Sequence, residues 1–528
     1  MTDDTTDDTV PDTTERTDDE TDAETNGETG TQSTPIETDG GTVEQDALEF
    51  DSETVDSTGR LIVLDVVGLQ PQHIDAERTP TLHSFFPDER VTDLRPPFPA
   101  LTVPAQTTLA TGTGPSEHGD VSSGEFDRER RAAEFWERDR ADRDRIWETA
   151  SEAGLTTGVL FFQHLIGTTA DVAVTPSPIE DEDNNLIEMN CWTNPDGFYD
   201  DLQEAYAHFP LHNYWGPGAN EEGSKWILSA AREAVERFDP DLLWVYVPHL
   251  DYVGQSDGPS SDAFDAELET VDEMLGGFLD FLSGTDRWDE TAINLISEYG
   301  FHDVEQPVFP NRALHEAGLL ETDAEGDADI PNSAAFAMVD HQLAHVYVDA
   351  DAGSGAGSDA NAGTDTDAET DATASADALE TARELLADLD GVATVIDDAE
   401  KAEWGIDHPN AGDFILVAEP DAWFQYYWWT DHDNAPPYAT DMDIHDKPGF
   451  DPCELFFGED GMVSLDPTKV SGSHGRVDES AYGCYALGGP AAHNVDLSSV
   501  DAIDATAVTP TIEGVLELEY GTLDQRAE

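Results

Sequence analysis

Strand-length apolar runs constrain this chain most: RLIVLDV (60–66), LLWVYV (242–247) and INLIS (293–297). Such runs need cover on both faces, as in a parallel sheet flanked by helices. Segments with helical periodicity precede strand-like ones. DRIWETASEAG comes before TTGVLFF, EEGSKWILSAAREAVERF before DLLWVYV, and FDAELETVDEMLGGFLDFLSG before TAINLIS. Strands separated by helices imply βαβ units, so the expected class is α/β with a mostly parallel sheet. HQLAHVYVD and GDFILVAEP, with the helix-like ALETARELLADLDG between them, predict a smaller inserted α+β region.

Each long apolar run leads into a carboxylate: Asp65, Asp251 or Glu298. In open α/β sheets ligands bind beyond the carboxyl ends of the strands. Carboxylates gathered there can hold cations, and a hydroxyl among them can act as a nucleophile. PPFPALTVPAQTTLATG supplies that hydroxyl at Thr102. Pro104 suits a first helical turn and Gly112 can end the helix, which places Thr102 at or just before the N-cap. Free N–H groups and the helix dipole favour an anion there, although a plain capping Thr fits the same pattern.

The 528 residues include 116 Asp+Glu and 23 Lys+Arg, for a formal net charge of -93. That excludes nucleic-acid or anionic-membrane binding through a general basic surface. Scarce Lys and abundant Asp suit a solvated acidic shell in molar salt, where the Debye length is about 3 Å and self-repulsion is screened. Cys191, Cys453 and Cys484 match no zinc or redox spacing. The N-terminus has no basic and apolar leader pattern, and no run is long enough to span a bilayer. The expectation is a soluble cytoplasmic protein. Residues 1–57 read as a disordered acidic tail, 58–515 as the folded domain and 516–528 as a C-terminal tail. A low-complexity acidic insertion is expected at 349–378. Nothing in the sequence defines the oligomeric state.

His474, in the Gly-flanked VSGSHGRVD, divides evenly between a ligand and a plain loop residue. His118 suits support of the Thr102 loop, while His249, His302 and His445 are supporting candidates. WFQYYWW (423–429) fits core or interface better than a substrate cage.

FPALTVPAQTTLATGTGPSEHG (98–119) resembles the nucleophile region of type I phosphodiesterase/nucleotide pyrophosphatases, members of the alkaline phosphatase superfamily. DIHDKPGFDPCELFF (443–457), with the preceding aromatic run, resembles a subgroup of such proteins. The resemblance implies an αβα-layered domain, a small-molecule phosphoester substrate and two divalent ions, usually zinc. It assigns Thr102 as a nucleophile that forms a phospho-threonine intermediate. One ion would be held by Asp65, Thr102 and positions 298 and 299; the other by Asp251, position 255 and His474.

The sequence departs from that pattern. Asp251-Tyr-Val-Gly-Gln255 stands where the family has Asp-x-x-Gly-His, and Glu298-Tyr299 stands for Asp-His. Ala105 occupies the place of a phosphoryl-binding Asn, with Gln106 as a possible substitute. Oxygen donors in place of imidazoles shift preference from zinc toward Mn or Mg. The competing reading is a decayed member that acts as a binding or scaffold protein. A sulfatase is disfavoured, because sulfatases need a modifiable Cys or Ser where this chain has Thr102.

Overall fold

Alternate side chains of the strand Arg60–Val66 enter two separate cores. Ile62, Leu64 and Val66 join one; Leu61 and Val63 join the other. This follows from the two-residue period of a strand. The computed structural model describes residues 59–135, 143–180, 186–349, 368–442, 446–459 and 461–518. All of these lie in the compact unit Gly40–Glu528. The acidic segment 1–57, the insertion residues 350–367 and His445 lie outside the described residues.

The central sheet has nine strands. Arg60–Val66 lies between Thr291–Ile296 and Leu242–Val247, parallel to both. Thr157–Leu160 and Val172–Pro176 extend the parallel pairing on one side. Gly483–Gly488 continues the sheet antiparallel on the other. The helices Glu221–Phe238 and Asp262–Ser283 contribute Trp226, Ile227, Phe264 and Leu275 to the first core. Thr102–Thr111, Ile146–Glu152 and Val508–Val515 contribute Leu109, Trp147 and Ile512 to the second. The result is the expected αβα layering.

The smaller region is an antiparallel sheet of four strands in the order Ala335–Asp340, Leu343–Val348, Phe414–Ala418, Val392–Ile396. A helix covers Ala368–Ala387, beginning inside the segment read as a low-complexity insertion. The aromatic run 423–429 is buried throughout, in agreement with the core reading.

Glu513, on the helix Val508–Val515, is 3% exposed, and its Oε1 has no hydrogen-bond partner. Burial pushes its carboxyl up to about 7. A carboxyl with a raised folded pKa binds its proton more tightly when folded. Its contribution therefore falls as pH rises from the ordinary value of 4.5 through about 7. Glu513→Gln should stabilise the protein above neutrality, on the order of 2–3 kcal/mol, and have no effect below about pH 4. Denaturant unfolding of both proteins at each pH measures this difference.

Candidate active site

Three adjacent strands deliver the three carboxylates to one end of the sheet. Asp65 lies near the end of its strand, in register with Tyr246 on one side and Ile296 on the other. Glu298 follows Thr291–Ile296 after Ser297. Asp251 lies in the first turn of the helix His249–Ser256, just beyond Leu242–Val247.

Thr102 is the first residue of the helix Thr102–Thr111, and Leu101 is the N-cap. This corrects the expectation that Thr102 sits at or before the cap. Leu101 has extended backbone and provides no side-chain cap, which leaves the Thr102 hydroxyl for another partner. That partner is the Tyr299 hydroxyl, 2.7 Å from Thr102 Oγ1. Gly112 ends the helix in the left-handed conformation, as expected.

His474 arrives on a loop built for close approach. A Cβ on Gly472 would lie 1.9 Å from the Gly254 carbonyl oxygen, in the helix that carries Asp251 and Gln255. Gly475 has φ +122, and its carbonyl accepts from Ala100 N–H at 3.1 Å. His474 Nδ1 in turn donates to the Ala100 carbonyl at 2.8 Å. The nucleophile loop and the histidine loop thus hold each other, and the His474 ring stacks on Tyr299 at 4.1 Å.

The supporting residues divide. Gln106 donates to Glu298 Oε1 at 2.5 Å and accepts from Gln163 N–H at 2.8 Å. Its amide is therefore fixed against Glu298. Gln255 donates to both Asp251 oxygens at 3.0 Å. His249 pairs with Glu267 at 2.6 Å and His302 with Asp478 at 2.8 Å. His118 bonds Thr108 within the nucleophile helix at 3.0 Å, the supporting role expected of it.

Burial dominates the electrostatics. It raises the Asp65 and Glu298 carboxyls, and their mutual repulsion raises Glu298 further. Burial pushes Asp251 up to about 6, against the opposing effects of the Gln255 bond and His341. Tyr299 is raised well above the usual phenol range by burial and by Glu298, so it stays protonated. Burial holds His474 neutral by lowering its pKa.

The donor chemistry suits a cation. Asp65 Oδ1, Glu298 Oε2, Gln255 Oε1 and His474 Nε2 are buried without hydrogen-bond partners. The oxygens are electron-pair donors, and so is His474 Nε2, because its Nδ1 carries the proton. A metal ion or protons would satisfy them, since a buried polar atom left unpaired is costly. Among the described residues, no three or more His, Cys, Asp or Glu side chains are already grouped to hold a metal ion. Of the residues expected from the resemblance, the His, Asp and Glu members are Asp65 with Glu298 for one ion and Asp251 with His474 for the other.

Sequence reasoning missed Asp340, His341 and Phe450. The signal was AFAMVDH, a further apolar run leading into an acid and a histidine. His341 Nδ1 donates to Asp340 Oδ1 at 2.7 Å, and its ring lies 3.8 Å from both His474 and Phe450.

Residues 61–451 match the type I phosphodiesterase / nucleotide pyrophosphatase family profile. An uncharacterized pyrophosphatase/phosphodiesterase of Schizosaccharomyces pombe is 24% identical over 274 residues, 51% of this chain and 49% of that protein. Ectonucleotide pyrophosphatase/phosphodiesterase 2 of Saccharomyces cerevisiae is 23% identical over 287 residues, covering 51% and 53%. The matched region thus spans about half the length of these curated relatives. Human ectonucleotide pyrophosphatase/phosphodiesterase 5 shares the fold with a TM-score of 0.52 at 15% identity, over 87% of this chain and 95% of that one. Its murine counterpart gives 0.51 at 14% identity with the same coverage. The chain belongs to the type I phosphodiesterase/nucleotide pyrophosphatase family, with the alkaline-phosphatase-like fold.

Proposed function

We propose that this protein is a divalent-metal-dependent phosphodiesterase or pyrophosphatase that uses Thr102 as its nucleophile. The observation that carries this reading is the Thr102 hydroxyl at a helix N-terminus, bonded to Tyr299, whose neighbour Glu298 has an unpartnered buried oxygen. Helix N–H groups there bind phosphoryl oxygens and stabilise their growing charge. Tyr299, kept protonated by burial, fixes the orientation of the Thr102 hydroxyl. Asp65, Glu298 and Asp251 with His474 would hold the cation, and Gln106 holds Glu298 in place. When bound, a divalent cation lowers the pKa of a coordinated hydroxyl and neutralises phosphoryl charge. Attack by Thr102 Oγ1 on phosphorus expels one alcohol, which takes up the proton lost from the Thr102 hydroxyl, and leaves a phospho-threonine that keeps the second ester group; water then hydrolyses it to the phosphomonoester and restores the Thr102 hydroxyl.

An inactive variant of murine ectonucleotide pyrophosphatase/phosphodiesterase 5 has been solved with AMP. Nucleotide phosphoesters are therefore the first substrates to test. The acidic composition further supports work in molar salt. Among the described residues, no helix is long and apolar enough to cross a membrane.

The test is hydrolysis of an aryl phosphodiester in molar KCl before and after chelation. Chelation should abolish turnover, and Mn or Zn should restore it. An undiminished rate in metal-free protein would contradict metal dependence. One observation favours a second reading, a decayed binding protein: Gln255 already satisfies both Asp251 oxygens from within the chain. A well-folded protein that stays inert with every metal would favour it.

A further inference from the structure

We propose that the Tyr299 hydroxyl is a catalytic hydrogen-bond donor to the phosphoryl oxygen that gains charge as Thr102 attacks. This rests on the Thr102-nucleophile reading above and gives Tyr299 a task beyond orienting that hydroxyl.

Donors around Thr102 are few. Leu101, Val103, Pro104 and Ala105 have no polar side chain. Pro104 also lacks a backbone N–H, so the first turn of the helix Thr102–Thr111 is one donor short. The Gln106 amide is held at both ends, by Glu298 Oε1 at 2.5 Å and by Gln163 N–H at 2.8 Å. The Tyr299 hydroxyl stands 2.7 Å from Thr102 Oγ1.

Proton placement decides what that hydroxyl does. The two hydroxyls carry two protons, and the bond between them uses one. Attack removes the Thr102 proton, which leaves with the expelled alcohol. The new bond from Thr102 Oγ1 to phosphorus makes Oγ1 an ester oxygen, a weaker acceptor than a charged phosphoryl oxygen. As the bond from phosphorus to the alcohol oxygen breaks, Tyr299 keeps its proton and turns it from Oγ1 to the phosphoryl oxygen. A phenol is protonated at neutral pH, with an ordinary pKa of about 10, and burial raises that of Tyr299 further.

The ring is fixed before substrate arrives. Tyr299 is fully buried and stacks on His474 at 4.1 Å and 15°. Phe301 meets the ring edge-on at 6.2 Å. The Tyr299 carbonyl accepts from Gly68 N–H at 3.2 Å and from the Ser297 hydroxyl at 3.1 Å. A Cβ on Gly483 would lie 3.0 Å from Tyr299 N and 1.9 Å from the Ser297 carbonyl oxygen, so the strand Gly483–Gly488 presses against this segment. His474 Nδ1 bonds the carbonyl of Ala100, just before the nucleophile. Phenol and nucleophile therefore share one frame, and a donor aimed in advance needs no reorganisation as charge develops.

The test uses the full chain in molar KCl with Mn²⁺. The substrates are an aryl methyl phosphodiester and the two diastereomers in which sulfur replaces one phosphoryl oxygen. Tyr299→Phe keeps the ring and its stacking. It should lower kcat by about 100- to 1,000-fold with KM little changed. Sulfur accepts hydrogen bonds poorly, so the wild-type protein should cleave one diastereomer more slowly, and Tyr299→Phe should remove most of that difference. A residue that only orients Thr102 would slow all three substrates alike. A sulfur penalty caused by a metal contact is relieved by added Cd²⁺, a soft cation, whereas one caused by Tyr299 should persist. Near-UV circular dichroism checks the fold of the variant, and the wild-type ratio with Cd²⁺ decides the matter should Tyr299→Phe unfold. Equal rates for the two diastereomers in the wild-type protein with Cd²⁺, or the wild-type ratio and kcat in Tyr299→Phe, would overturn this assignment alone. A wild-type protein inert toward every substrate, or turnover that survives in Thr102→Ala, would overturn it together with the nucleophile reading.

Discussion

Thr102→Ala should lower phosphodiester hydrolysis on the order of 10³- to 10⁶-fold, the range expected when a nucleophile is removed. Its structural cost should be small. The substitution deletes the 2.7 Å bond to Tyr299, a loss of about 1 kcal/mol, with a similar cost if the Tyr299 hydroxyl stays unpaired. Pro104 and the Gly112 terminus still define the helix. Thr102→Ser retains the hydroxyl and should retain far more of the rate. Comparing both variants with the parent, on one substrate and in one salt, separates a nucleophile from a packing role. Equal losses in Ala and Ser would point to packing.

Lys447→Met should be the most damaging single change to stability among those considered. Lys447 is buried with Asp451 at 3.1 Å and Glu454 at 2.6 Å, and all three side chains are at most 1% exposed. Burial alone would lower the lysine pKa, but the two carboxylates outweigh it and hold the ammonium charged. Removing the cation leaves two carboxylates facing each other away from water, at a cost of about 3–5 kcal/mol. In the variant the two unpaired carboxylates repel each other only when ionised, so the penalty should grow as pH rises and shrink in acid. Replacing the whole cluster, with Asp451→Asn and Glu454→Gln added to Lys447→Met, should recover much of the loss. Urea unfolding at two pH values tests both statements. Phe450 lies between Lys447 and Asp451 and packs on His341, whose ring lies against His474.

Part of this was legible from residues alone. The apolar runs marked the central strands because parallel strands covered on both faces admit few polar residues. Their carboxylate ends marked one end of the sheet, where Asp65, Asp251 and Glu298 are found. The helix start was misplaced by one residue. A Thr before a helix usually caps it, but here the hydroxyl bonds Tyr299, more than a hundred positions away. Such a bond has no local signature. The same holds for Gln106, whose place beside Glu298 depends on how the helix Thr102–Thr111 meets the segment that follows Thr291–Ile296. His341 was hidden for a different reason. Its segment reads as an ordinary strand, and the turn that brings its ring against His474 has no local signature.

The most direct measurement is to trap the covalent intermediate. Protein in molar KCl with Mn or Zn would be mixed with an aryl phosphodiester, quenched in acid within one turnover, and digested for peptide mass spectrometry. The account predicts an adduct on Thr102 that carries phosphorus with its remaining ester group, absent from Thr102→Ala and from chelated protein. Rapid turnover with no adduct there, or an adduct at another residue, would contradict it.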